Sequence, residues 1–494
     1  MRKDQGMNRL PILELAVFFV GFAIMVSEIC GARLLEPYFG NTLFTWTSSI
    51  AVILAALGAG YYLGGHAAAG KVRKESLALM VIAAAVLVSF IPLASSIILN
   101  VGMSFGYEFG PLFSSAVLFS LPNILLGMVA PYAIKLNARV LDAVGRTAGN
   151  LYAISTLGGI IGALLSGYVM IPYVGINETF FVTGFALALI AVLLYGIKLA
   201  PVIAIVLFAA AIHVTSPYAK LNPVYQAQTP YYNIAVIKSN NNTLLLTGLN
   251  GAQSASNPEA INTYYPYQLL MYNGTRHLNA LYLGLGGGTM IMDLYRNTNA
   301  SIDVVEIDPG IISAARRYFG FGNSSRIRMY NQDARYFLRS ANYTYNMIVL
   351  DTYGSSEADM PSQMVTIEAA VEMKDHLVSG GAVMINLVSP LSGMDSCAFG
   401  SVYKTFGSVF SHIYVFPLDP NNPGALQNVE IIATESNYSM SYVLNRLNGS
   451  IPMAQMAWVE SGSYESNFNT SACQMLTDDK NPFEYYSAQA IAAN

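Results

Sequence analysis

Long apolar segments separated by short polar gaps make up roughly the first 200 residues of the chain. A membrane hydrocarbon core about 30 Å thick is crossed by roughly 20 apolar residues in helical conformation, and each of these segments is close to that length. The pattern therefore predicts six transmembrane helices, at residues 11–32, 45–65, 77–99, 112–134, 151–174 and 179–199.

A seventh apolar segment, residues 201–214, is short and begins with Pro201. Its length leaves three placements open, because it can span the membrane, tilt within it or lie at its surface. Lys and Arg favour cytoplasmic loops, and here they occupy alternate gaps between the apolar segments. This pattern predicts that the N-terminus lies inside, on the cytoplasmic side of the plasma membrane. If the seventh segment spans, the C-terminal half lies outside, and this side is slightly favoured. The basic residues are Arg2, Lys3, Arg9, Lys71, Arg73, Lys74, Lys135, Arg139, Arg146 and Lys198.

The second half of the chain has a different pattern, with charged residues dispersed from Lys220 onward. From residue 278, short β-rich runs alternate with helical stretches, as in a parallel sheet built from strand-helix-strand units. We therefore predict a transmembrane helical domain at 1–215, a linker with a small N-terminal β segment at 216–277, and a nucleotide-binding α/β domain at 278–494.

Composition agrees with a membrane protein, since 54% of the residues are hydrophobic and only 11% are charged. A net charge of -4 and the lack of an Arg-rich stretch exclude nucleic acid as a partner, whereas the lipid bilayer is one. Cys30, Cys397 and Cys473 have no paired spacing, so no metal site is expected. Cys397 and Cys473 could form a disulfide in an oxidising space, but two unpaired thiols are favoured.

Two acidic residues, Glu14 and Glu28, lie within the first apolar segment. An ionisable group in hydrocarbon is costly, and it usually faces a cavity, a polar partner or a substrate path. Either residue could instead lie near the membrane surface. These acids leave open a transport or sensing role for the membrane half.

A glycine-rich turn follows the first β-rich run of the α/β domain, in the sequence LNALYLGLGGG. Its glycines are Gly284, Gly286, Gly287 and Gly288, and a helical stretch follows them. Glycine lets a backbone approach a nucleotide closely, and a helix N-terminus adds oriented N–H donors. The turn is therefore predicted to bind a nucleotide.

Acidic residues end the next strands of this domain. Glu306 ends the second strand, where a carboxylate can accept hydrogen bonds from both ribose hydroxyls. Asp333 follows the third strand and is placed to contact an adenine, and Asp351 ends the fourth. A dinucleotide fold is disfavoured, because the third position of its glycine fingerprint falls on Thr289 or Ile291, depending on the glycine counted first.

Together these motifs resemble the spermidine synthase (polyamine aminopropyltransferase) family, and most closely its membrane-fused branch. The resemblance covers nearly the whole chain, and it implies a multi-span α-helical membrane domain joined to an α/β domain with the Rossmann-like fold of S-adenosylmethionine-dependent methyltransferases. The segments that carry it are SEICGARLLEPYFG, NLYAISTLGGIIGALLSG, the glycine loop, VVEID, NQDA, VLD, TYGSSEADMPSQMVT and LTDDKNPFEYY.

The resemblance also implies roles for individual residues. Decarboxylated S-adenosylmethionine, or S-adenosylmethionine itself, would occupy the glycine crevice, with Glu306 on its ribose and Asp333 on its adenine. Gln253 matches a residue that the family retains for cofactor binding. Asp351 would orient the attacking amine and accept its proton, and Tyr232 and Tyr353 are expected on the substrate side. A helix N-cap or a turn residue is the alternative role of Asp351.

Three positions depart from the family pattern. Thr289 stands near the place of an Asp that holds the aminopropyl amine, Gly354 replaces a second Asp that binds the polyamine, and Tyr232 replaces a Gln. Losing two carboxylates weakens the recognition of cationic groups, which makes spermidine a doubtful product. Glu357 or Asp359 could substitute, although a surface role is favoured for both.

The leading prediction is a membrane-bound aminopropyltransferase that acts on a small-molecule amine or a membrane-associated acceptor, with a homodimer kept as a hypothesis for its assembly. An S-adenosylmethionine-dependent methyltransferase is the alternative within enzymes. A transporter or sensor that binds a polyamine or nucleoside without chemistry is the alternative outside them.

Overall fold

The computed structural model describes most of the chain, and its two compact units, residues 1–219 and 220–494, are treated separately below. The described residues are 10–137, 144–196, 198, 201–202, 205, 218, 221–239, 242–249, 252–257, 265–271, 278–322, 324–354, 360–466 and 468–492. Most of the seventh apolar segment, together with Glu357 and Asp359, lies outside them.

The described residues of the first unit form six helices that are long and apolar enough to cross a membrane, which confirms the six predicted apolar helices. Most of them extend beyond the predicted bounds, because polar residues continue the helix past the apolar stretch. The fifth continues into a π-helical turn, Ser166–Met170, and a short helical turn, Ile171–Tyr173. The helices are α1 (Leu10–Phe39), α2 (Leu43–Ala69), α3 (Lys74–Met103), α4 (Gly106–Asn137), α5 (Val144–Leu165) and α6 (Ile176–Tyr195).

Glycine faces let two pairs of these helices approach closely. On α5, a Cβ atom at Gly158 would lie 2.0 Å from the Phe18 carbonyl oxygen of α1. On α2, a Cβ atom at Gly64 would lie 2.6 Å from the Met128 carbonyl oxygen of α4. Small residues at such positions are typical of membrane helix packing, whereas Gly167 of the π-helical turn after α5 has open space beside it.

The most buried acidic residue described in this unit is Glu36, whose side chain is 1% exposed and forms an ion pair with Arg33 one helical turn earlier. Glu14 and Glu28, the acids singled out from the sequence, are only half-buried. The sequence does not distinguish the three, because their burial depends on which face of α1 meets the other helices.

The second unit begins with a small antiparallel sheet. Its strands are paired in chain order, each with the next, and they form the predicted N-terminal β segment. A 3-10 helix, Tyr265–Met271, follows the sheet. The strands are β1 (Tyr225–Gln228), β2 (Asn233–Ser239), β3 (Asn242–Leu246) and β4 (Ser254–Ala255).

A seven-stranded sheet forms the centre of this unit, in the order β10-β11-β9-β8-β5-β6-β7. The strands from β5 to β9 pair in parallel, while β11 inserts antiparallel between β10 and β9. This mixed sheet confirms the predicted methyltransferase-like α/β fold. The strands are β5 (Asn279–Leu283), β6 (Ser301–Glu306), β7 (Ile327–Asn331), β8 (Tyr345–Leu350), β9 (Leu377–Ser389), β10 (His412–Pro417) and β11 (Gln427–Thr434).

Helices connect the strands and cover both faces of the sheet, so the central strands are continuous runs of buried apolar residues. Four of the described helices of this unit begin with a capping side chain, since Asp308, Asp333, Thr366 and Ser439 each accept a hydrogen bond from a backbone N–H of the first turn. The helices are α7 (Thr289–Asn297), α8 (Pro309–Tyr318), α9 (Ala334–Ser340), α10 (Ile367–Asp375), α11 (Cys397–Gly407), α12 (Met440–Leu447), α13 (Met453–Glu460) and α14 (Phe483–Ala492).

A disulfide joins Cys397 at the start of α11 to Cys473, so the expectation of two unpaired thiols was wrong. The segment that carries Cys473 folds back onto α11, where the Lys404 ammonium donates to the Cys473 carbonyl oxygen at 3.1 Å. The cysteines are 76 residues apart in the chain. Their spacing therefore carries no local signal, and only the return of the chain brings their Cα atoms to 5.1 Å.

Candidate active site

A crevice of about 690 Å³ lies at the carboxyl ends of β5, β6 and β8, where ligands bind in open α/β sheets. All the site residues predicted from the sequence line it except Gly287 and Gly288. Its lining residues are Tyr231, Tyr232, Gln253, Gly284, Gly286, Val305, Glu306, Ile307, Gln332, Asp333, Ala334, Asp351, Thr352, Tyr353, Pro361, Gln363 and Met364.

The glycine loop has a backbone shape that side chains would prevent. Gly284 has a φ of 103°, and a Cβ atom there would lie 2.0 Å from the carbonyl oxygen of Asp351. Gly286 has a φ of 52° and lies against the Ser254 hydroxyl, which accepts a hydrogen bond from the Gly287 N–H at 2.9 Å. The loop is thus supported by β4, and Ser254 is a contributor that the sequence reasoning missed.

Gly287 and Gly288 serve packing. A Cβ atom at Gly287 would meet the Phe319 ring, and one at Gly288 would meet the Phe321 ring. Gly288 also begins α7 with a left-handed conformation, at a φ of 73°. Both glycines were predicted to bind the cofactor. They shape the turn behind the crevice and do not line the crevice itself.

Glu306 lies at the end of β6 and is 8% exposed. Its Oε2 accepts a hydrogen bond from the Leu285 N–H at 3.1 Å, and its Oε1 accepts one from the Asp308 N–H at 2.9 Å. Burial raises the pKa of Glu306 to about 7, against the opposing effect of these two donors. Each carboxylate oxygen has a further lone pair, so Glu306 could still accept hydrogen bonds from a ribose.

Asp333 lines the crevice and also contacts the first turn of α9. Its Oδ1 accepts a hydrogen bond from the Tyr336 N–H at 2.8 Å and so caps the helix. Its Oδ2 accepts no hydrogen bond from the described residues. The carboxylate can therefore cap α9 and contact a ligand at the same time.

Asp351 follows β8 directly and is half-buried at the floor of the crevice. Its Oδ1 accepts a hydrogen bond from the Asn386 side-chain amide of β9 at 2.9 Å. Burial raises the pKa of Asp351, and the Asn386 amide opposes the rise. Asp351 caps none of the helices that the structure describes, so the alternative of a capping residue has no support in its geometry.

Gln253 and Tyr353 hold the segment after Asp351 in place. The Gln253 amide donates to the Tyr353 carbonyl oxygen at 2.5 Å, and the Val388 N–H donates to the Tyr353 hydroxyl at 2.6 Å. Tyr232 lines the other side of the crevice, and its N–H donates to the Thr229 hydroxyl. All three predicted residues therefore lie at the crevice, and their roles toward a ligand stay predictions.

The positions that depart from the family pattern lack carboxylates, as expected. The Thr289 hydroxyl donates to the Ala255 carbonyl oxygen at 2.7 Å, and Gly354 is buried with its carbonyl oxygen accepting from the Thr247 hydroxyl. Neither position offers a charge for a cationic ligand. Across the described residues, no group of three or more metal-ligating side chains could hold a metal ion.

Asn386 is a second residue of this region that the sequence reasoning missed. It is 4% exposed, and its carbonyl oxygen accepts a hydrogen bond from the Asn428 amide at 2.7 Å while its own amide binds Asp351. The available signal was a lone amide within the apolar run VMINLV. A buried polar side chain in such a strand needs a partner, and here the partner is Asp351.

Comparison with known proteins places the chain beside transferases, although no family model matches it. A polyamine aminopropyltransferase of Vibrio vulnificus is 27% identical over 231 residues, which are 43% of this chain and 74% of the relative. Polyamine aminopropyltransferase 2 of Aquifex aeolicus is 21% identical over 434 residues, covering 82% of this chain and 84% of the relative. A human eEF1A lysine and N-terminal methyltransferase is 30% identical over 151 residues, or 28% of this chain and 21% of the relative.

Among solved structures, a probable spermidine synthase from Corynebacterium glutamicum has a TM-score of 0.41 at 19% identity, covering 51% of this chain and 96% of that one. Spermidine synthase from Thermotoga maritima has a TM-score of 0.37 at 14% identity, covering 54% and 84%. The Aquifex relative extends the likeness into the helical half. These similarities confirm the predicted resemblance to the spermidine synthase (polyamine aminopropyltransferase) family, and the six long apolar helices described in the N-terminal unit fit its membrane-fused branch.

Proposed function

We propose that the protein is a membrane-bound transferase that moves an aminopropyl group from decarboxylated S-adenosylmethionine to an amine acceptor. The observation that carries the proposal is Asp351, a half-buried carboxylate on the floor of the crevice, directly beside the glycine loop. The names of the polyamine aminopropyltransferase relatives support the same reaction class.

The crevice fits an adenosyl group. Gly284 and Gly286 line it, and neither carries a side chain that would keep a ligand from the backbone of the loop. Glu306 would accept hydrogen bonds from the ribose hydroxyls, and Asp333 would accept one from the adenine amino group. We therefore assign the sulfonium substrate to this crevice, with its aminopropyl chain directed to Asp351.

Asp351 would act on the acceptor amine. In the reaction the amine nitrogen forms a bond to the carbon next to the sulfonium, the carbon–sulfur bond breaks, and its electrons neutralise the sulfur to give the thioether methylthioadenosine. The amine must lose one proton. Burial raises the proton affinity of Asp351, which suits a carboxylate that orients the amine and accepts this proton.

The test is transfer by the purified full-length chain in detergent, with labelled decarboxylated S-adenosylmethionine and a panel of primary amines. Label in an amine product together with methylthioadenosine supports the proposal. A protein that binds methylthioadenosine but transfers no label to any amine of the panel contradicts it.

Methyl transfer is a second candidate, favoured by the likeness to the human eEF1A methyltransferase and by the uncharged Thr289 and Gly354. It needs the same adenosyl crevice but no site for an aminopropyl amine. Supplying S-adenosylmethionine with a labelled methyl group separates the two reactions, because only methyl transfer would label the acceptor and leave S-adenosylhomocysteine.

We further propose that residues 220–494 lie on the extracytoplasmic side of the plasma membrane, with the N-terminus inside. The disulfide of Cys397 and Cys473 supports this side, since disulfides persist in oxidising spaces. The alternating basic loops agree with it if residues 201–214 span. This placement requires that the sulfonium substrate reach that side.

Protease added to sealed right-side-out vesicles tests the placement. Cleavage within residues 220–494 before lysis is expected, and cleavage only after lysis would place these residues inside. The adenosyl-binding and transfer measurements do not depend on this outcome, since they use solubilised protein.

A further inference from the structure

Glu430 is a buried carboxyl in the middle of β11, within the otherwise apolar run VEIIA. Glu430 is 1% exposed, and neither of its carboxylate oxygens has a hydrogen-bond partner among the described residues. Burying such a group without a partner is costly, so each instance in a native fold calls for an explanation. The fold of the sheet does not supply one, because an apolar side chain would fill the same place.

The sheet register places Glu430 close to the floor of the crevice. Glu430 is paired opposite Asn386 of β9, and the Asn386 amide donates to Asp351 at the end of β8. Strands lie about 4.8 Å apart, so β8 and β11 are separated by roughly 10 Å. The three side chains share one face of the sheet, because Val349, Met384 and Ile432, two residues before or after them, pack into one core cluster.

No cation balances this pair of acids. Among the described residues, neither Asp351 nor Glu430 takes part in an ion pair. Burial and the negative charge of Asp351 hold the pKa of Glu430 well above its usual range. Both effects favour the neutral form of Glu430, and a positive charge brought to this face would favour its ionised form.

We propose that Asp351 and Glu430 together form the acidic subsite for a cationic, polyamine-type acceptor, in place of the carboxylate that Gly354 removes. This inference rests on the proposed function and names its acceptor class. Asp351 orients the attacking amine, while Glu430 supplies the second negative charge for a further ammonium group of the same acceptor. The second negative charge thus comes from β11, which is separated from β8 by one strand, β9.

Aromatic side chains around Glu430 agree with an alkylammonium ligand. Phe416 is paired opposite Glu430 in the neighbouring strand β10, and its ring stacks on Tyr267 with their centres 4.6 Å apart. Aromatic faces attract alkylammonium groups and pack against methylene chains, whereas a hydrated metal ion needs several oxygen ligands. The surroundings therefore favour an amine with an apolar spacer.

The proposal has a proton-linkage consequence. When a cationic amine binds, Glu430 loses its proton to the solvent, so amine binding becomes tighter as the pH rises toward the ionisation of Glu430 in the empty protein. The other titratable groups near this pair are Tyr265 and Tyr267 of the 3-10 helix and Tyr282 of β5, and Asp293 of α7 lies near Tyr265 and Tyr282. Burial raises the pKa of each tyrosine, so all three stay neutral, and the amides of Gln268 and Asn297 hold Asp293.

Calorimetry on the full-length chain in detergent, with 1,4-diaminobutane as the probe and two buffers of different ionisation enthalpy, measures this proton. The wild type is expected to release close to one proton per diamine bound. Glu430→Gln should release none and bind the diamine about 30-fold more weakly, the loss typical of a buried charge pair. Glu435→Gln is the matched control, because Glu435 is exposed and pairs with Lys374 at the surface.

Methylthioadenosine binding serves as the folding check and is expected to be unchanged in both variants. No proton release by the wild type, no diamine binding by the wild type, or wild-type behaviour of Glu430→Gln would each overturn the acidic subsite. The wild-type proton count decides alone if Glu430→Gln does not fold. Diamine binding with proton release but without aminopropyl transfer would instead contradict the proposed function and leave the subsite in place.

Discussion

The side chains of the crevice differ in what holds their charge. Asp351 accepts a hydrogen bond from one side-chain amide and shares a sheet face with a second acid, Glu430, whereas Glu306 accepts hydrogen bonds from two backbone N–H groups. Both carboxyls have a raised pKa because burial outweighs these donors. The same physical effect suits both proposed roles, Asp351 as a proton acceptor and Glu306 as a ribose acceptor whose pKa is about 7.

Asp351→Asn is expected to lower aminopropyl transfer by about 100-fold or more, because the amide cannot accept the proton of the acceptor amine. Methylthioadenosine affinity should change less than about threefold, since the adenosyl contacts lie on other side chains. Steady-state transfer and calorimetry measure the two effects. Asp375→Asn, at an exposed position of α10, is the control. Equal loss of binding and transfer would contradict the assigned role.

Adenosyl binding should depend on pH through Glu306, whose pKa is about 7. Below that value the carboxyl is protonated and loses its acceptor capacity toward the ribose, so affinity should fall by up to about tenfold for each pH unit. Methylthioadenosine titrations between pH 5.5 and 8.5 would measure this. In Glu306→Gln the affinity should be weak and flat with pH, and a wild-type slope in that variant would assign the dependence to another group.

At the scale of elements, strands and turns place these side chains. The alternation of β-rich and helical runs predicted the parallel strands, and the position after each strand predicted the acidic residues, because parallel strands end at one edge of a sheet. Ser254 and Asn386 were not predicted from the sequence. Ser254 joins β4 to the glycine loop, and Asn386 joins β9 to the end of β8. Such contacts depend on strand neighbours, which lie far apart in the sequence.

Gly284→Ala should disrupt the turn that follows β5, where the carboxyl ends of β5 and β8 meet. A Cβ atom there would meet the Asp351 carbonyl oxygen at 2.0 Å, and the φ of 103° is unfavourable for alanine. We expect a loss of about 3 kcal/mol in the free energy of unfolding, together with loss of methylthioadenosine binding. Gly320→Ala is the matched control, because Gly320 has a φ of 70° but open space beside it, and should cost only about 1 kcal/mol.

Urea titrations followed by tryptophan fluorescence compare the two variants. Two similar losses would mean that backbone strain alone, rather than contact with the β8 end, makes glycine necessary at position 284.

At the scale of the whole molecule, a helical unit and an α/β unit share one chain, and each has its own packing. The helical unit has long apolar helices that pack through glycine faces, while the α/β unit has two apolar cores on either side of its sheet. The disulfide adds a covalent link between α11 and the segment that folds back over it. Stability of the second unit is therefore tied to the redox state of its surroundings.

Replacing both Cys397 and Cys473 with serine is expected to destabilise the second unit by about 4 kcal/mol, from the chain entropy of a loop of 76 residues. Thermal unfolding of the full-length chain, with and without reductant, measures the effect. Reductant should lower the melting temperature of the wild type and leave the double variant unchanged. Equal melting curves for the wild type in both conditions would show that the link contributes nothing.

The sequence by itself determined the six spans, the order of strands and helices, the glycine turn and the placement of Glu306, Asp333 and Asp351 at strand ends. These features follow from local patterns, such as apolar length and the residue after a strand. Only the tertiary structure decided that Cys397 meets Cys473 and that Glu430 shares a sheet face with Asp351. Pairing across a sheet and the return of a distant segment depend on packing that no short stretch of sequence encodes.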